Sequence, residues 1–338
     1  MLGIGKLTAG AEDYYLGVAQ GIEDYYVGIA SPGRWIASTQ RLLGVEGDVD
    51  PEALRAMFSG QDPTSGVVLV ASKNRTVAAF DLTFKADKTV SLLHAFATPA
   101  VAEIVEDAQT ASVAAGLRYL EDAAVFSRRG RNGVEQVQGG GMVAAAFRHY
   151  RNRNEEPHLH DHVLVANMTP GPDGRWSTLD ARHLYNHAKT AGYVYQSVMR
   201  HELATRLGIE FGPVVNGVGP IAGIPRPLVD AFSTRRAEIL EHLDTIGASS
   251  ARAAQYAALQ TRHAKDQQPD LDTVAREWQQ RALSLGFDPA TVEQLVGPPT
   301  GRELTRSELQ THTDAMLSPE GPERVKDFET SGLVMSVG

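Results

Sequence analysis

Leu159-His160-Asp161-His162-Val163-Leu164-Val165-Ala166-Asn167-Met168 is the stretch on which the reading of this chain turns. Its aliphatic and β-branched residues make it a strand, and the polar triplet lies inside that strand. Side chains two apart on a strand project from one face, so His160 and His162 emerge side by side. A second strand-like run, residues 142–149, ends at His149, and a polar loop over residues 150–158 joins the two. Folded as a hairpin, they can bring His149 beside the other two imidazoles. Three neutral imidazoles suit Zn, Mn, Fe, Ni or Co and leave positions open for a substrate oxygen. His158 can line the same site, whereas His183, His187 and His201 read as packed or solvated side chains.

Outward from this hairpin, hydrophobic periodicity supplies the other elements. Upstream, residues 9–30 read as a helix, with Pro32-Gly33 as its stop signal. Residues 67–70 and 77–84 read as strands, with Asn74-Arg75 in the turn between them. Residues 88–96 fit either a helix or a strand, and Pro99 opens a long amphipathic helix to about residue 122. Residues 123–127 and 133–138 read as a hairpin. Downstream, residues 170–174 form a turn, and residues 182–207 form a helix on the spacing of Leu184, Ala188, Ala191, Val194, Val198 and Leu203. Helix-like segments follow at 225–243, 249–265, 271–285 and 289–296. Strands joined by hairpins, with helices grouped elsewhere, predict an α+β fold: an antiparallel sheet flanked by helices. Residues 1–222 are expected to form the core, 223–300 a helical appendage, and 301–338 a weakly ordered tail.

Composition narrows the function classes. With no cysteine, disulfides, thiolate zinc sites and cysteine nucleophiles are excluded together. No apolar run approaches the roughly 20 residues of a membrane span, and the N-terminus lacks the pattern of a secretory signal. Membrane insertion is therefore not expected, and the expected compartment is the cytoplasm. The formal net charge of −9 argues against a generic nucleic-acid coat. Residues 126–206 nevertheless carry eleven Lys/Arg against seven Asp/Glu. A locally basic surface on an acidic chain suits a specific strand.

Tyrosine supplies the second unusual pattern. Tyr14-Tyr15 and Tyr25-Tyr26 lie close together near the start of the chain. On one continuous helix, eleven residues of separation leave Tyr14 and Tyr25 only about 20° apart. Such a stripe can pack on a core, and a phenol can also act as a nucleophile in covalent catalysis.

Taken together, these residues resemble the relaxase domain of conjugative plasmid transfer proteins of the MobF class, in the HUH endonuclease superfamily. Four stretches carry the resemblance, in the family's order: the double tyrosines; Phe80-Asp81-Leu82-Thr83-Phe84 with Lys88-Thr89-Val90-Ser91; Glu156 to His162 followed by Val165-Ala166-Asn167-Met168; and Asp173-Gly174-Arg175-Trp176. The resemblance extends from residue 1 to about 265. It implies a sheet of the HUH or palm type and a nickase acting on single-stranded origin-of-transfer DNA. The implied product is a 5′-phosphotyrosine with a free 3′-hydroxyl, open to religation.

The resemblance also implies residue roles. Tyr14 would be the first nucleophile, and Tyr25 or Tyr26 a second. Asp81 would orient a metal-bound histidine or assist deprotonation of the tyrosine. His149, His160 and His162 would hold a divalent ion, Mg or Mn in the first place, with Zn, Ni or Co as alternatives; no organic cofactor site is expected. Arg128, Arg129, Arg131, Arg148, Arg151 and Arg153 are the candidates for DNA contact, and the appendage would fold over the DNA. Expected partners are the origin-of-transfer hairpin, other relaxosome proteins and a helicase. No G-x-x-x-x-G-K-[ST] motif occurs here, so the helicase is expected elsewhere. Competing readings are a rolling-circle replication initiator, a cupin-like metal-dependent oxygenase whose third ligand would lie far downstream, and a silent hairpin-binding protein.

Overall fold

The computed structural model describes residues 2–8, 10–11, 33–70, 76–130, 133–247, 253 and 271–299. In chain order the elements begin with β1 (Leu2–Leu7), β2 (Arg34–Ala37), α1 (Thr39–Leu43), α2 (Pro51–Phe58) and β3 (Ala79–Lys85). The helices α3 (Lys88–Phe96) and α4 (Pro99–Ala124) follow, then β4 (Phe126–Arg129), β5 (Glu135–Gln138), β6 (Val143–Arg151) and β7 (Pro157–Ala166). The last elements are β8 (Thr169–Pro170), β9 (Trp176–Ser177), α5 (Ala181–Leu207), α6 (Arg226–Ala231), α7 (Thr234–Thr245), α8 (Leu271–Ser284) and a 3₁₀ turn at Pro289–Leu295. The turn expected at Asn74-Arg75, most of the helices expected over 9–30 and 249–265, and the tail 301–338 lie outside the described residues.

Five strands form one antiparallel sheet in the order β1-β3-β7-β6-β2. Alternation along β3 sends Phe80, Leu82 and Phe84 to one face, where they join the main core with Leu117, Leu120, Ala191 and Tyr195 of α4 and α5. The two long helices cover this face. Gly116 permits their close approach, because a Cβ there would lie 2.7 Å from Phe84 Cε1 and 3.3 Å from the Ala191 carbonyl. On the opposite face, Leu54 and Phe58 of α2 cover Ala79, Ala145, Phe147 and Leu164. The rest of that face carries the histidines.

Local chemistry decides the ambiguous segments. Residues 88–96 are a helix because the Asp87 carboxylate caps the first turn, accepting from Thr89 N (2.9 Å). Residues 67–70 are not a strand. Asp62 Oδ1 accepts from Thr64 N and Ser65 N in an Asx-turn, and Leu69 N and Val70 N both donate to Gly60 O. With these donors satisfied locally, Val67 and Val68 stay exposed. The helix expected over 225–243 is two, α6 and α7, separated at Phe232-Ser233, and Phe232 turns inward onto Phe96. Leu228, Phe232, Val274, Trp278 and Val292 belong to the same core as the sheet, which α6, α8 and the 3₁₀ turn join by packing on α3.

The loop between β6 and β7 is shorter than the spacing predicts. β6 continues to Arg151 and β7 starts at Pro157, because Asn152 Oδ1 accepts from Asn154 N and Glu156 N and closes a tight turn. Glu155 takes the left-handed conformation there (φ 55°). The turn is anchored to the helices. The buried Glu156 carboxylate accepts from Thr234 N (2.7 Å) and Thr234 Oγ1 (2.6 Å) at the start of α7, and Trp278 Nε1 donates to Glu155 O (2.6 Å).

Candidate metal centre

β6 and β7 pair with His149 opposite His160 and Phe147 opposite His162. Cross-strand partners share a face, so all three imidazoles stand on the sheet surface away from α4 and α5. Ring centroids are 5.2 Å apart for His149–His160, 4.9 Å for His149–His162 and 5.1 Å for His160–His162. One ring nitrogen from each lies within 4.8 Å of the others, which suits a single ion between them.

Hydrogen bonds fix which nitrogens are available. Both oxygens of Asp81 lie 2.9 Å from His162 Nδ1. His160 Nδ1 lies 2.7 Å from the His158 carbonyl. Carboxylate and carbonyl oxygens only accept, so each Nδ1 carries the proton and each Nε2 keeps a lone pair for a metal. Burial pushes the His160 imidazole well below the usual range, reinforced by its histidine neighbours. It is therefore held in the neutral form that binds metal. Burial, with the Lys88 and Lys85 cations nearby, does the same to His158, whose ring lies 4.6 Å from that of His160. His158 thus flanks the cluster without completing it.

Asp81 reaches His162 from β3, where Thr83 is the cross-strand partner of His162 and Asp81 is the next residue on that face. An orienting role for Asp81 would act through this contact. Tyr14, Tyr25, Tyr26 and Arg131 lie outside the described residues.

The remaining arginines separate into two groups. Arg128 is half-exposed, 3.7 Å from Asp180. Arg129 joins Asp173 (2.6 Å) and donates to Arg175 O, bridging two hairpins, and Arg153 sits in the β6–β7 turn. Arg148 and Arg151, expected along DNA, instead turn into the protein. Arg148 makes two bonds to the buried Asp161 (2.9 and 3.0 Å), and Arg151 pairs with Glu155 (2.6 Å). Strand alternation could have set Arg148 apart, since Arg148 and His149 must point to opposite faces; Arg151 lies beyond the register shift.

Residues 8–285 match the family described as TrwC relaxase. The chain belongs to the TrwC relaxase family. It is therefore a MobF-class conjugative relaxase domain, and the rolling-circle initiator and cupin-like readings give way; the third histidine of the cluster lies upstream on a neighbouring strand. The metal-bound structure of the conjugative relaxase TrwC in complex with oriT DNA is 29% identical, with a TM-score of 0.74, over 86% of this chain and 100% of that one. A copper-bound TrwC–oriT complex is 30% identical with a TM-score of 0.72, again over 86% and 100% of the two chains. The multifunctional conjugation protein TraI of Escherichia coli (strain K12) is 29% identical over 302 residues, 86% of this chain and 16% of TraI. This relaxase domain thus spans about a sixth of the length of the curated relatives it matches. No helix among its described residues is long and apolar enough to cross a membrane.

Proposed function

We propose that this relaxase domain nicks one DNA strand at an origin of transfer and stays joined to the 5′ end through a tyrosine. The observation that carries the reading is the three-histidine cluster braced by Asp81. A TrwC complex with a 27-mer comprising the recognition hairpin and the cleavage site, 27% identical with a TM-score of 0.69, supports the same class of substrate.

Tyr14 is the proposed nucleophile. Its oxygen bonds to the scissile phosphorus while the bond from phosphorus to the 3′-oxygen breaks. The phenol proton is lost and the departing oxygen ends as a 3′-hydroxyl. A phenol with a pKa of about 10 needs help to lose that proton at neutral pH. His149, His160 and His162 would hold a divalent ion, which supplies Lewis acidity to the phosphate when bound. Three imidazole nitrogens favour Mn, Ni, Zn or Cu over Mg, which prefers oxygen donors. Asp81 holds the Nδ1 proton of His162 and keeps that ring aimed. Because the phosphotyrosine preserves a phosphoester, the 3′-hydroxyl can attack it and religate the strand. Tyr25 or Tyr26 would serve a second transfer.

Arg128, Arg129, Arg131 and Arg153 are the proposed DNA contacts. Residues 1–222 would form the catalytic core, with 223–300 folding over the strand; the anchoring of α7 and α8 on the β6–β7 turn supports that placement. Other relaxosome proteins and a helicase are proposed partners in the cytoplasm. The test incubates the protein and Mn²⁺ with labelled single strands tiling the transfer origin. A covalent adduct abolished by chelator and by Tyr14→Phe is expected. Cleavage unchanged in Tyr14→Phe would remove that residue as the nucleophile.

A further inference from the structure

The metal-bearing hairpin contains two registers. Through His149↔His160 the strands pair in one register, but Arg151 pairs with Pro157, one residue out of step. The irregularity lies immediately beyond His149, so a metal ligand stands at the last regular position. If the register beyond the bulge ran on along the strands, His149 would oppose Leu159 and Arg148 would oppose His160. A one-residue slip exchanges the faces of paired side chains, and the three imidazoles would no longer converge. The competing register is already present in the ladder, two residues from the site.

One interaction reads the difference from behind. Arg148 and Asp161 are cross-strand partners on the face covered by α4, each next to a metal-site histidine in sequence. The guanidinium donates through Nε to Asp161 Oδ1 (2.9 Å) and through Nη2 to Oδ2 (3.0 Å). It is also tied to α4, from Nη1 to Glu106 O (3.1 Å) and from Nη2 to Thr110 Oγ1 (2.9 Å). The Asp161 side chain is 4% exposed and that of Arg148 16%. In the slipped register Asp161 would face Phe147, leaving its buried carboxylate without the guanidinium, which would keep only its contacts to α4. Breaking such a pair is strongly unfavourable, whereas replacing both members by apolar groups often preserves stability.

We propose that the Arg148–Asp161 pair is a positioning device for the metal centre, holding β6 and β7 in the register that makes His149, His160 and His162 converge. The proposal rests on reading that cluster as the metal site. It is tested on the whole chain by calorimetric titration with Mn²⁺ and with Ni²⁺, beside far-UV circular dichroism and thermal unfolding in chelator. The variants are Asp161→Asn, Arg148→Lys and the double variant Arg148→Met/Asp161→Leu. The double variant is expected to fold and melt close to the parent in chelator, yet bind metal about 10- to 100-fold more weakly, the range for lost outer-shell support. Asp161→Asn is expected to weaken binding in the same direction. Parent-like affinity in the double variant overturns the proposal and leaves the metal site intact. Failure of all three variants to fold also overturns it, since the pair would then serve folding as a whole. A parent chain that binds neither ion overturns the metal-site reading itself.

Discussion

Asp81 offers the most direct test of the site. Its carboxylate faces His162 Nδ1 with both oxygens at 2.9 Å, and Thr83 Oγ1 donates to Oδ1 at 3.3 Å. The two side chains are only 13% and 18% exposed, so water cannot simply replace the contact. A net hydrogen bond to a charged group contributes about 1.5–3 kcal/mol. Loss of outer-shell partners of metal-ligating histidines costs about 10- to 100-fold in affinity, or about 1.4–2.8 kcal/mol. The two routes agree, so Asp81→Ala should weaken metal binding by one to two orders of magnitude. Asp81→Asn keeps an accepting oxygen without the charge and should fall between the two. The assay is calorimetric titration of stripped protein with Ni²⁺ at neutral pH, with unfolding in chelator measured separately. If Asp81→Ala bound within twofold of the parent, Asp81 would not orient His162 for metal and the assigned tautomer would be wrong.

Three further perturbations test the scaffold. Burial pushes the Lys88 amine down to about 8, partly opposed by Glu156 and Asp87. Between pH 8 and 10 the unfolded chain keeps a proton that the folded one releases, so stability should rise with pH by at most about 1.4 kcal/mol per unit. Denaturant midpoints across that window should lose this slope in Lys88→Met. Gly116→Val drives a side chain into Phe84 and the Ala191 carbonyl, and should cost about 1–3 kcal/mol in chemical denaturation; a neutral result would mean that α4 and α5 can separate freely. Glu156→Ala removes the acceptor of Thr234 N, Thr234 Oγ1 and Asn152 Nδ2. It should cost about 3 kcal/mol and open residues 225–245 to limited proteolysis, and a loss below about 1 kcal/mol would contradict the anchoring role.

How much of this was legible follows from the range of each interaction. The side-by-side placement of His160 and His162 is a property of one strand and needs only its period of two. Bringing in His149 needs a hairpin, which two apolar runs with a polar loop announce. The bulge beyond His149 is not announced, because it depends on Asn152 closing a turn on Glu156 and on helices anchored there from residues 234 and 278. The contact of Asp81 with His162 spans 81 positions. No local pattern contains it, so only family resemblance anticipated it. Residues 67–70 differ for the opposite reason: their β-propensity is real, but Leu69 N and Val70 N both donate to Gly60 O behind the turn at Asp62, and no strand forms.

The basic window over residues 126–206 carries the same argument to the surface. Its excess of cations counts both faces of the sheet together, and only depth divides them. Arg148, Arg151 and Arg129 each meet an acid of the same window, namely Asp161, Glu155 and Asp173, and Arg182 meets Asp180. Pairing leaves the net charge of the window unchanged but alters where its field emerges. Arg148 answers a charge behind the sheet, whereas Arg128, Arg175 and Arg182 are 48%, 84% and 64% exposed around the two small hairpins. A DNA strand attracted to this domain would therefore meet its positive potential at the β4–β5 and β8–β9 hairpins. If so, Arg175→Gln should lower the salt dependence of binding by close to one phosphate's share, about 0.7 in slope for a single strand. Arg148→Lys, whose cation stays behind the sheet, should leave that slope unchanged; an equal drop in both would place Arg148 at the DNA after all.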